Sequence, residues 1–347
     1  MSAEEPLVIS GHAIVGEELV PVPADIVIKG GTIVAIEDAK NVPARWICPA
    51  FFNAHTHLGD TIAMDCAVTG DLTAMVTPPD GLKHRYLKAA SYADLVSGMK
   101  KSIRFMAARG TAGCADFREG GNDGVSALKR AVAGQQFRPV ILGRDGGEAV
   151  ADGVGISSTR DVPDSGKIAA AMKSAGKLVA IHAGERDNLD VDEALSCDPD
   201  LIVHATHASY DQLRQCAERD IPLAICPQSN WIFSVAGSRN HPPVRRMLDL
   251  GCRVFLGTDN VMFVQPDMLA AMGFLHTVYH LDPPDILRMA VAGSSLGKDP
   301  FFINPRARAN FIIVNPRRSN LAFSKDPVAT MVKRGYSVCS CKKVFNL

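Results

Sequence analysis

The sequence predicts an α/β fold, a closed (β/α)8 TIM-like barrel with a small β-sandwich domain built from both chain ends. Eight short apolar segments resemble strands through the middle of the chain, and helical stretches separate most of them. Segments rich in Val and Ile occupy both ends. We therefore expect the N-terminal part of the sandwich over 1–48, the barrel over 49–303 and the C-terminal part of the sandwich over 304–347.

The chain ends carry the strand signals of the small domain. Because Gly residues and turns interrupt Val- and Ile-rich stretches there, each stretch is typical of a short strand. The predicted strands are LVIS (7–10), HAIV (12–15), DIVIKG (25–30) and TIVAIED (32–38), with NFIIVN (310–315) and YSVCSCKKVF (336–345) at the other end.

The middle of the chain alternates strand and helix signals. The predicted barrel strands are 46–54, 111–117, 139–144, 153–158, 177–182, 201–206, 222–227 and 253–259. Amphipathic helices are predicted over 91–110, 164–176 (with Asp164 as its cap), 211–219 and 244–250. A doubly wound open sheet is the main alternative, but no Gly-rich phosphate loop follows an early strand.

Composition narrows the functional class. Lys and Arg total 37 and Asp and Glu total 37 in 347 residues, so the formal net charge is zero. That balance argues against a nucleic-acid partner. No apolar run approaches the ~18 residues of a membrane span, and the acidic start is unlike a signal peptide. We expect a cytoplasmic protein whose partner is a small molecule rather than a nucleic acid or a membrane.

Ionisable residues cluster where the predicted barrel strands end. Active sites of such barrels lie at the carboxyl ends of the strands. His55 and His57 are two residues apart on a strand and so point to the same side. His182 ends a later strand, and Asp259 ends an apolar strand where an unpaired carboxylate would be costly. Three imidazoles and one carboxylate suit a catalytic zinc with an open position for water.

One metal ion is expected rather than two. A pair of metals bridged by a carbamate would need a Lys on the fourth strand, and residues 151–158 contain none. The cofactor prediction is therefore one divalent ion, with zinc favoured and iron as the alternative.

Five motifs, taken in order, extend the metal pattern over the whole chain. They are PAFFNAHTHL (49–58), IHAGE (181–185), LIVHATH (201–207), CPQSN (226–230) and LGTDN (256–260). With the split β-domain, they resemble the amidohydrolase superfamily, in its branch of cytosine, adenosine, guanine and S-adenosylhomocysteine deaminases. The resemblance implies that His55, His57, His182 and Asp259 hold the metal. It also implies catalytic roles for Glu185, as the acid for the substrate's ring nitrogen, and for His204, which orients the attacking water.

His207 competes with His204 for the last role. It lies three residues further on, and odd spacing on a strand points to the opposite side. The family pattern favours the first histidine, His204.

Three functional interpretations remain open from the sequence. The first is hydrolytic deamination of an aminated heterocycle by a metal-bound hydroxide, with Asp259 accepting the water proton and Glu185 protonating the ring. The second is hydrolysis of a cyclic amide or imidazolone by the same metal ligands. The third is a non-catalytic barrel used for binding or assembly. The resemblance also leaves a homo-oligomer open.

Substrate contacts are sought among polar and aromatic residues near the strand ends. The 60–88 stretch is too long for a simple connection and is expected to form a lid or pocket wall. Within it, Lys83, His84 and Arg85 could meet an anionic group, but a solvated helix start is the favoured interpretation. Arg118, Arg144 and Trp231 are further candidates, with salt bridges or core packing as the alternatives.

Overall fold

The computed structural model describes residues 5–67, 70, 72–337 and the backbone of 342–344. Its strands are β1 (Leu7–Val15), β2 (Val20–Lys29), β3 (Thr32–Asp38), β4 (Trp46–Pro49), β5 (Phe51–His57), β6 (Thr111–Arg118), β7 (Arg138–Gly143), β8 (Gly153–Ile156), β9 (Leu178–Ala183), β10 (Leu201–His204), β11 (Leu223–Ile225), β12 (Val254–Leu256), β13 (Asp259–Asn260), β14 (Phe311–Val314) and β15 (Lys342–Val344). Its α-helices are α1 (Leu72–Val76), α2 (Leu82–Ala89), α3 (Tyr92–Ala108), α4 (Gly121–Val132), α5 (Ser165–Ser174), α6 (Val191–Ser196), α7 (Tyr210–Glu218), α8 (Pro227–Ile232), α9 (Val244–Asp249), α10 (Met268–Phe274), α11 (Pro283–Ala292) and α12 (Pro327–Arg334).

The larger sheet is a closed parallel barrel. Its order is β12-β11-β10-β9-β8-β7-β6-β5-β13, with β12 and β13 as two pieces of the eighth strand. The barrel closes where β13 pairs in parallel with β5, placing Asp259 opposite Thr56. The predicted (β/α)8 barrel is therefore confirmed, and its closure brings the first and last barrel strands side by side.

The segment predicted as one strand over 46–54 divides between the two sheets. β4 pairs in the smaller sheet with β14, and β5 begins the barrel. Every residue from Trp46 to His57 is buried. The single-strand prediction is wrong because an unbroken apolar run has no periodicity that shows where the chain passes from one sheet to the other.

The chain ends build one six-stranded sheet, in the order β15-β14-β4-β1-β2-β3. Its β3 edge is closed by the segment before β14, since Ile33 N–H donates to Ala307 O and Ala309 N–H donates to Gly31 O. The sheet thereby encloses its own core, which includes Ile26 and Phe311. The prediction of a β-domain from both ends is confirmed, although LVIS and HAIV belong to the single strand β1.

The C-terminal stretch contains a helix that the sequence analysis does not predict. Asp326 caps α12 by accepting from Ala329 N–H, and α12 packs against α10 and α11 of the barrel. Val328 and Met331 are buried in the main core. The helix is only eight residues long, and its packing against α10 and α11 supplies the stability that its own sequence does not. Of YSVCSCKKVF, residues 338–341 and 345 lie outside the described residues, and β15 is the strand within it.

The predicted helices are present, with one local difference. Ser91 caps α3 through the Asp94 N–H, and the helix ends at Ala108. Asp164 precedes α5 without capping it, because its carboxylate accepts from Lys167 Nζ instead. Among the described residues, no helix has the length and apolarity needed to cross a membrane.

Candidate active site

Five polar side chains meet at the carboxyl ends of four barrel strands. All are buried, and four come from the residues that the sequence singles out as metal ligands. They are His55 and His57 on β5, His182 on β9, His204 on β10 and Asp259 on β13.

The donor atoms of this cluster have the spacing of ligands around a single ion. His55 Nε2 lies 3.1 Å from Asp259 Oδ1 and 3.2 Å from His182 Nε2. His57 Nε2 lies 3.5 Å from Asp259 Oδ1. Ligand atoms about 2.1 Å from a tetrahedral metal are roughly 3.4 Å apart. The residues present therefore fit a divalent cation.

Two members of the cluster have a backbone conformation that few residues adopt. His204 has φ 75° and Asp259 has φ 65°, both in the left-handed region. Such conformations cost about 1–3 kcal/mol and concentrate at functional sites. Gly257 lets the backbone before Asp259 approach His55 closely, because a Cβ at position 257 would lie 2.9 Å from His55 Cβ and backbone N.

Burial keeps the histidines neutral. It lowers the pKa of His55 to about 4, against the hydrogen bond with Asp259. The pKa of His57 also lies well below its usual value, because of burial and then because of the nearby charge of Lys83. The pKa of His182 is lowered well below its usual value by burial and then by His55. Neutral imidazole is the form that binds metals.

Asp259 stays ionised beside these rings. Burial works to raise its pKa, but the His55 hydrogen bond and the nearby histidines hold the pKa well below its usual value. Ser229 Oγ donates to Asp259 Oδ2 at 2.5 Å and leaves Oδ1 facing the histidines. The carboxylate is thus oriented with one oxygen toward the cluster.

Glu185 lies next to His204 at the edge of the donor cluster. Its Oε1 lies 3.5 Å from His204 Nε2, and its side chain is 19% exposed. Burial raises the pKa of Glu185, which favours the protonated carboxyl. Gly184 makes the turn that places it, with φ 70° and a backbone N–H that donates to Asp190 Oδ1.

A buried group of three ionisable side chains, Lys83, Glu119 and Asp60, lies beside His57 Nδ1, the ring nitrogen that faces away from the donor cluster. His57 Nδ1 lies 2.9 Å from Glu119 Oε1 and 2.9 Å from Lys83 Nζ. Lys83 Nζ also lies 2.7 Å from Glu119 Oε1 and 3.0 Å from Asp60 Oδ2. A carboxylate on the far nitrogen fixes the orientation of a metal-binding histidine.

The sequence analysis does not predict that Lys83, Glu119 and Asp60 form one buried group behind His57. Lys83 is 3% exposed, so the expected solvated helix start is wrong for it. Glu119 directly follows β6, a position that signals the barrel mouth. Nothing in the local sequence signals Lys83, because its partners come from other elements.

A cavity opens over the cluster, and the 60–88 stretch forms one wall. Leu72, Val76, Thr77 and Lys83 line it, opposite His182, Glu185 and His204. The expectation of a pocket wall in this stretch agrees with that placement. Residues 68, 69 and 71 lie outside the described residues.

Besides Lys83, one of the expected substrate contacts lines this cavity, namely Arg144. It donates to Gly155 O and to Glu119 Oε1, so protein groups already engage its guanidinium. Arg118 is buried and pairs with Asp116 and Glu119, as the salt-bridge alternative predicts.

The other two expected contacts also lie off the cavity wall. Trp231 Nε1 donates to Tyr279 Oη, and its ring packs on Phe274, as core packing predicts. His84 Nε2 hydrogen-bonds Val76 O and lines a neighbouring outer cavity of about 620 Å³.

His207 lies apart from the donor cluster. Its Nε2 hydrogen-bonds Val235 O at 2.9 Å, and its ring contacts His241. The structure thus brings His204, and not His207, to the cavity.

Comparison with known proteins identifies the family. The family model of adenosine deaminase matches residues 156–298. A putative aminohydrolase of Methanothermobacter thermautotrophicus is 31% identical over 94% of this chain and 94% of its own length. This chain belongs to that aminohydrolase family. It is thereby a member of the amidohydrolase superfamily and a hydrolase of carbon–nitrogen bonds other than peptide bonds.

Solved structures share the fold of this aminohydrolase family member. The atrazine chlorohydrolase TrzN from Arthrobacter aurescens, complexed with zinc, matches with a TM-score of 0.79 at 16% identity, over 98% of this chain and 94% of that chain. An adenosine deaminase from Xanthomonas campestris with bound zinc matches with a TM-score of 0.74 at 13% identity, over 98% and 91%. Both likenesses concern the fold.

Proposed function

We propose that this protein is a metal-dependent deaminase of an aminated heterocycle, namely a purine, pyrimidine, pterin or one of their nucleosides. One observation carries the proposal. The carboxyl of Glu185 stands on the wall of the cavity, beside His204 and next to the cluster of three histidines and Asp259. A proton donor next to a site that can hold a divalent ion is the arrangement that ring deamination requires.

In this proposal His55, His57, His182 and Asp259 hold one divalent ion, with zinc favoured. Such an ion supplies Lewis acidity and lowers the pKa of water to near 7. The neutral state of the three histidines and the 3.1–3.5 Å spacing of the donor atoms support this assignment.

The remaining residues manage protons around the reacting carbon. Asp259, held ionised, accepts the proton of the attacking water and later delivers it to the departing amine. His204 hydrogen-bonds the attacking oxygen through Nε2. Its orientation comes from Asn230 Nδ2, 3.3 Å from His204 Nδ1.

Glu185 favours deamination over other hydrolyses. Attack on an amidine-like ring carbon places negative charge on the adjacent ring nitrogen, so a proton is needed there. Burial raises the pKa of Glu185, which favours the protonated form of the carboxyl that this step needs. The same acid would also hold the ring by a hydrogen bond before attack.

The substitution Glu185→Gln tests the proposal. We expect the variant to bind metal as the parent does and to lose about 10²–10⁴-fold in kcat, since the acid is removed and no donor atom of the cluster changes. The measurements are metal content by elemental analysis and ammonia release. Glu193→Gln on α6 is a matched control, because Glu193 is exposed and lies outside the cavity.

Equal turnover of Glu185→Gln and the parent would remove Glu185 from the mechanism. Loss of metal together with turnover would show that the carboxyl supports the donor cluster instead.

A further inference from the structure

Among the described residues, four cationic side chains line the cavity, and three of them form ion pairs with carboxylates. Lys83 and Arg144 both contact Glu119, at 2.7 and 3.2 Å. Arg160 pairs with Asp187 through both terminal nitrogens. Each of these three cations therefore already contacts a carboxylate of the protein.

In the described part of the chain, Arg186 is the one cation on the cavity wall that forms no ion pair with a carboxylate. It is exposed, and one terminal nitrogen donates to Thr77 Oγ1 at 3.1 Å. No described carboxylate oxygen lies within the 4.0 Å of an ion pair with its guanidinium. A guanidinium has five N–H donors, so most of this fork is open to a ligand.

The position of Arg186 fixes which part of a substrate it would meet. Arg186 directly follows Glu185 and lines the same cavity, whose wall also includes His182 and Asp259. Its partner Thr77 belongs to the wall that the 60–88 stretch provides. A substrate ring that is hydrogen-bonded to Glu185 could thus reach Arg186, at the cavity edge, with one of its substituents.

The described acidic residues near Arg186 do not pair with its guanidinium. Asp190 accepts from Gly184 N–H and Ser158 Oγ, and Asp187 is taken by Arg160. Asp161 is exposed and also lines the cavity, without forming an ion pair with Arg186. The half-buried Ser157 adds a hydroxyl to the same wall.

We propose that Arg186 determines substrate specificity by binding an acidic substituent, a carboxylate or a phosphate, on the ring that is deaminated. A planar guanidinium matches either anion in a bidentate geometry. The inference rests on the proposed function for the orientation of the ring, and it adds the charge of the substrate.

Paired compounds that differ in the acidic group test it. Adenosine against adenosine 5′-monophosphate probes phosphate, and pterin against pterin-6-carboxylate probes carboxylate. With zinc-loaded protein, we expect kcat/KM for the acidic member of at least one pair to exceed that of the neutral member by about 10- to 100-fold. In Arg186→Met this ratio falls toward one while the value for the neutral member changes little, and Arg186→Lys retains part of it.

Arg160→Met is the matched control. It removes a cation from the same wall, but the guanidinium of Arg160 is already paired with Asp187. Its acid preference should remain. Calorimetric binding of the deaminated products, inosine 5′-monophosphate against inosine and the corresponding lumazine pair, supplies a readout that needs no turnover.

The outcomes separate the two proposals. Acid-dependent binding that Arg186→Met abolishes, without ammonia release, supports the role of Arg186 and contradicts deamination. Ammonia release at equal kcat/KM from both members of each pair, unaffected by Arg186→Met, supports deamination and overturns the role of Arg186. Absence of acid preference in both turnover and binding across the pairs also overturns it.

Discussion

At the residue scale, two histidines of one motif have opposite environments. His204 Nε2 faces Glu185, whereas His207 Nε2 hydrogen-bonds a backbone carbonyl. We expect His204→Ala to lower kcat by at least about 10²-fold, because the attacking water loses its hydrogen-bond partner. His207→Ala should keep most of the activity. Steady-state ammonia release from both variants is the measurement, and equal losses would contradict the assignment.

Asp60 links the site to the stability of the protein. Burial raises its pKa to about 7, in spite of Lys83. The unfolded value is near 3.9, so the folded state holds an extra proton between those pH values and loses stability as the pH rises across them. The Tm of Asp60→Asn minus that of the parent, both in chelator, should therefore be larger at pH 8 than at pH 5. Thermal scans at the two pH values measure it.

A pH-independent Tm difference would contradict this role of Asp60. It would indicate that the carboxylate remains charged throughout, stabilised by Lys83 and Arg118.

Residues on strand ends could be predicted, and their supports could not. His55, His57 and Asp259 are recognisable because polar residues end apolar strands, and barrel closure makes such ends converge. Lys83 and Asp60 come from the connection after β5. Lys83 is buried against Asp60 and Glu119, and no local sequence pattern encodes those contacts.

At the scale of elements, α2 inserts one buried ammonium into the polar group beside the barrel strands. Lys83 is the buried residue of this helix and contacts two carboxylates and His57. Removing one partner of a buried charge group costs about 3–5 kcal/mol. We expect Lys83→Met to lower the free energy of unfolding by about that amount, as measured by urea denaturation.

Lys88→Met is the control on the same helix, because Lys88 is exposed. It should change the free energy of unfolding by less than about 0.5 kcal/mol. Equal effects of the two substitutions would show that α2 is not anchored through Lys83.

Elements with a clear period were predictable, and those at sheet boundaries were not. The Ser91-capped α3 is readable from its amphipathic pattern and cap. The division of 46–54 into β4 and β5 is not, because both halves are apolar and buried. α12 is short, and its packing on α10 and α11 decides its helical state.

At the scale of the whole molecule, the fold explains why distant residues form one site. Pairing of β13 with β5 brings Asp259 to the histidines of the first barrel strand, some 200 residues earlier (|i−j| of 204 for His55 and Asp259). The donor atoms come from the rigid barrel, whereas the facing wall comes from the 60–88 stretch. The donor cluster and the cavity wall over it are thus built from different parts of the chain.

The most direct test of the central claim is metal-dependent ammonia release. Zinc-loaded protein would be screened with amino-purines, amino-pyrimidines, pterins and their nucleosides, beside a chelated sample and His55→Ala. We predict about one bound metal per chain and ammonia release that disappears in both controls. Silence across the panel with metal bound would contradict deamination and favour hydrolysis of a ring amide. Absence of metal binding would contradict the metal centre itself.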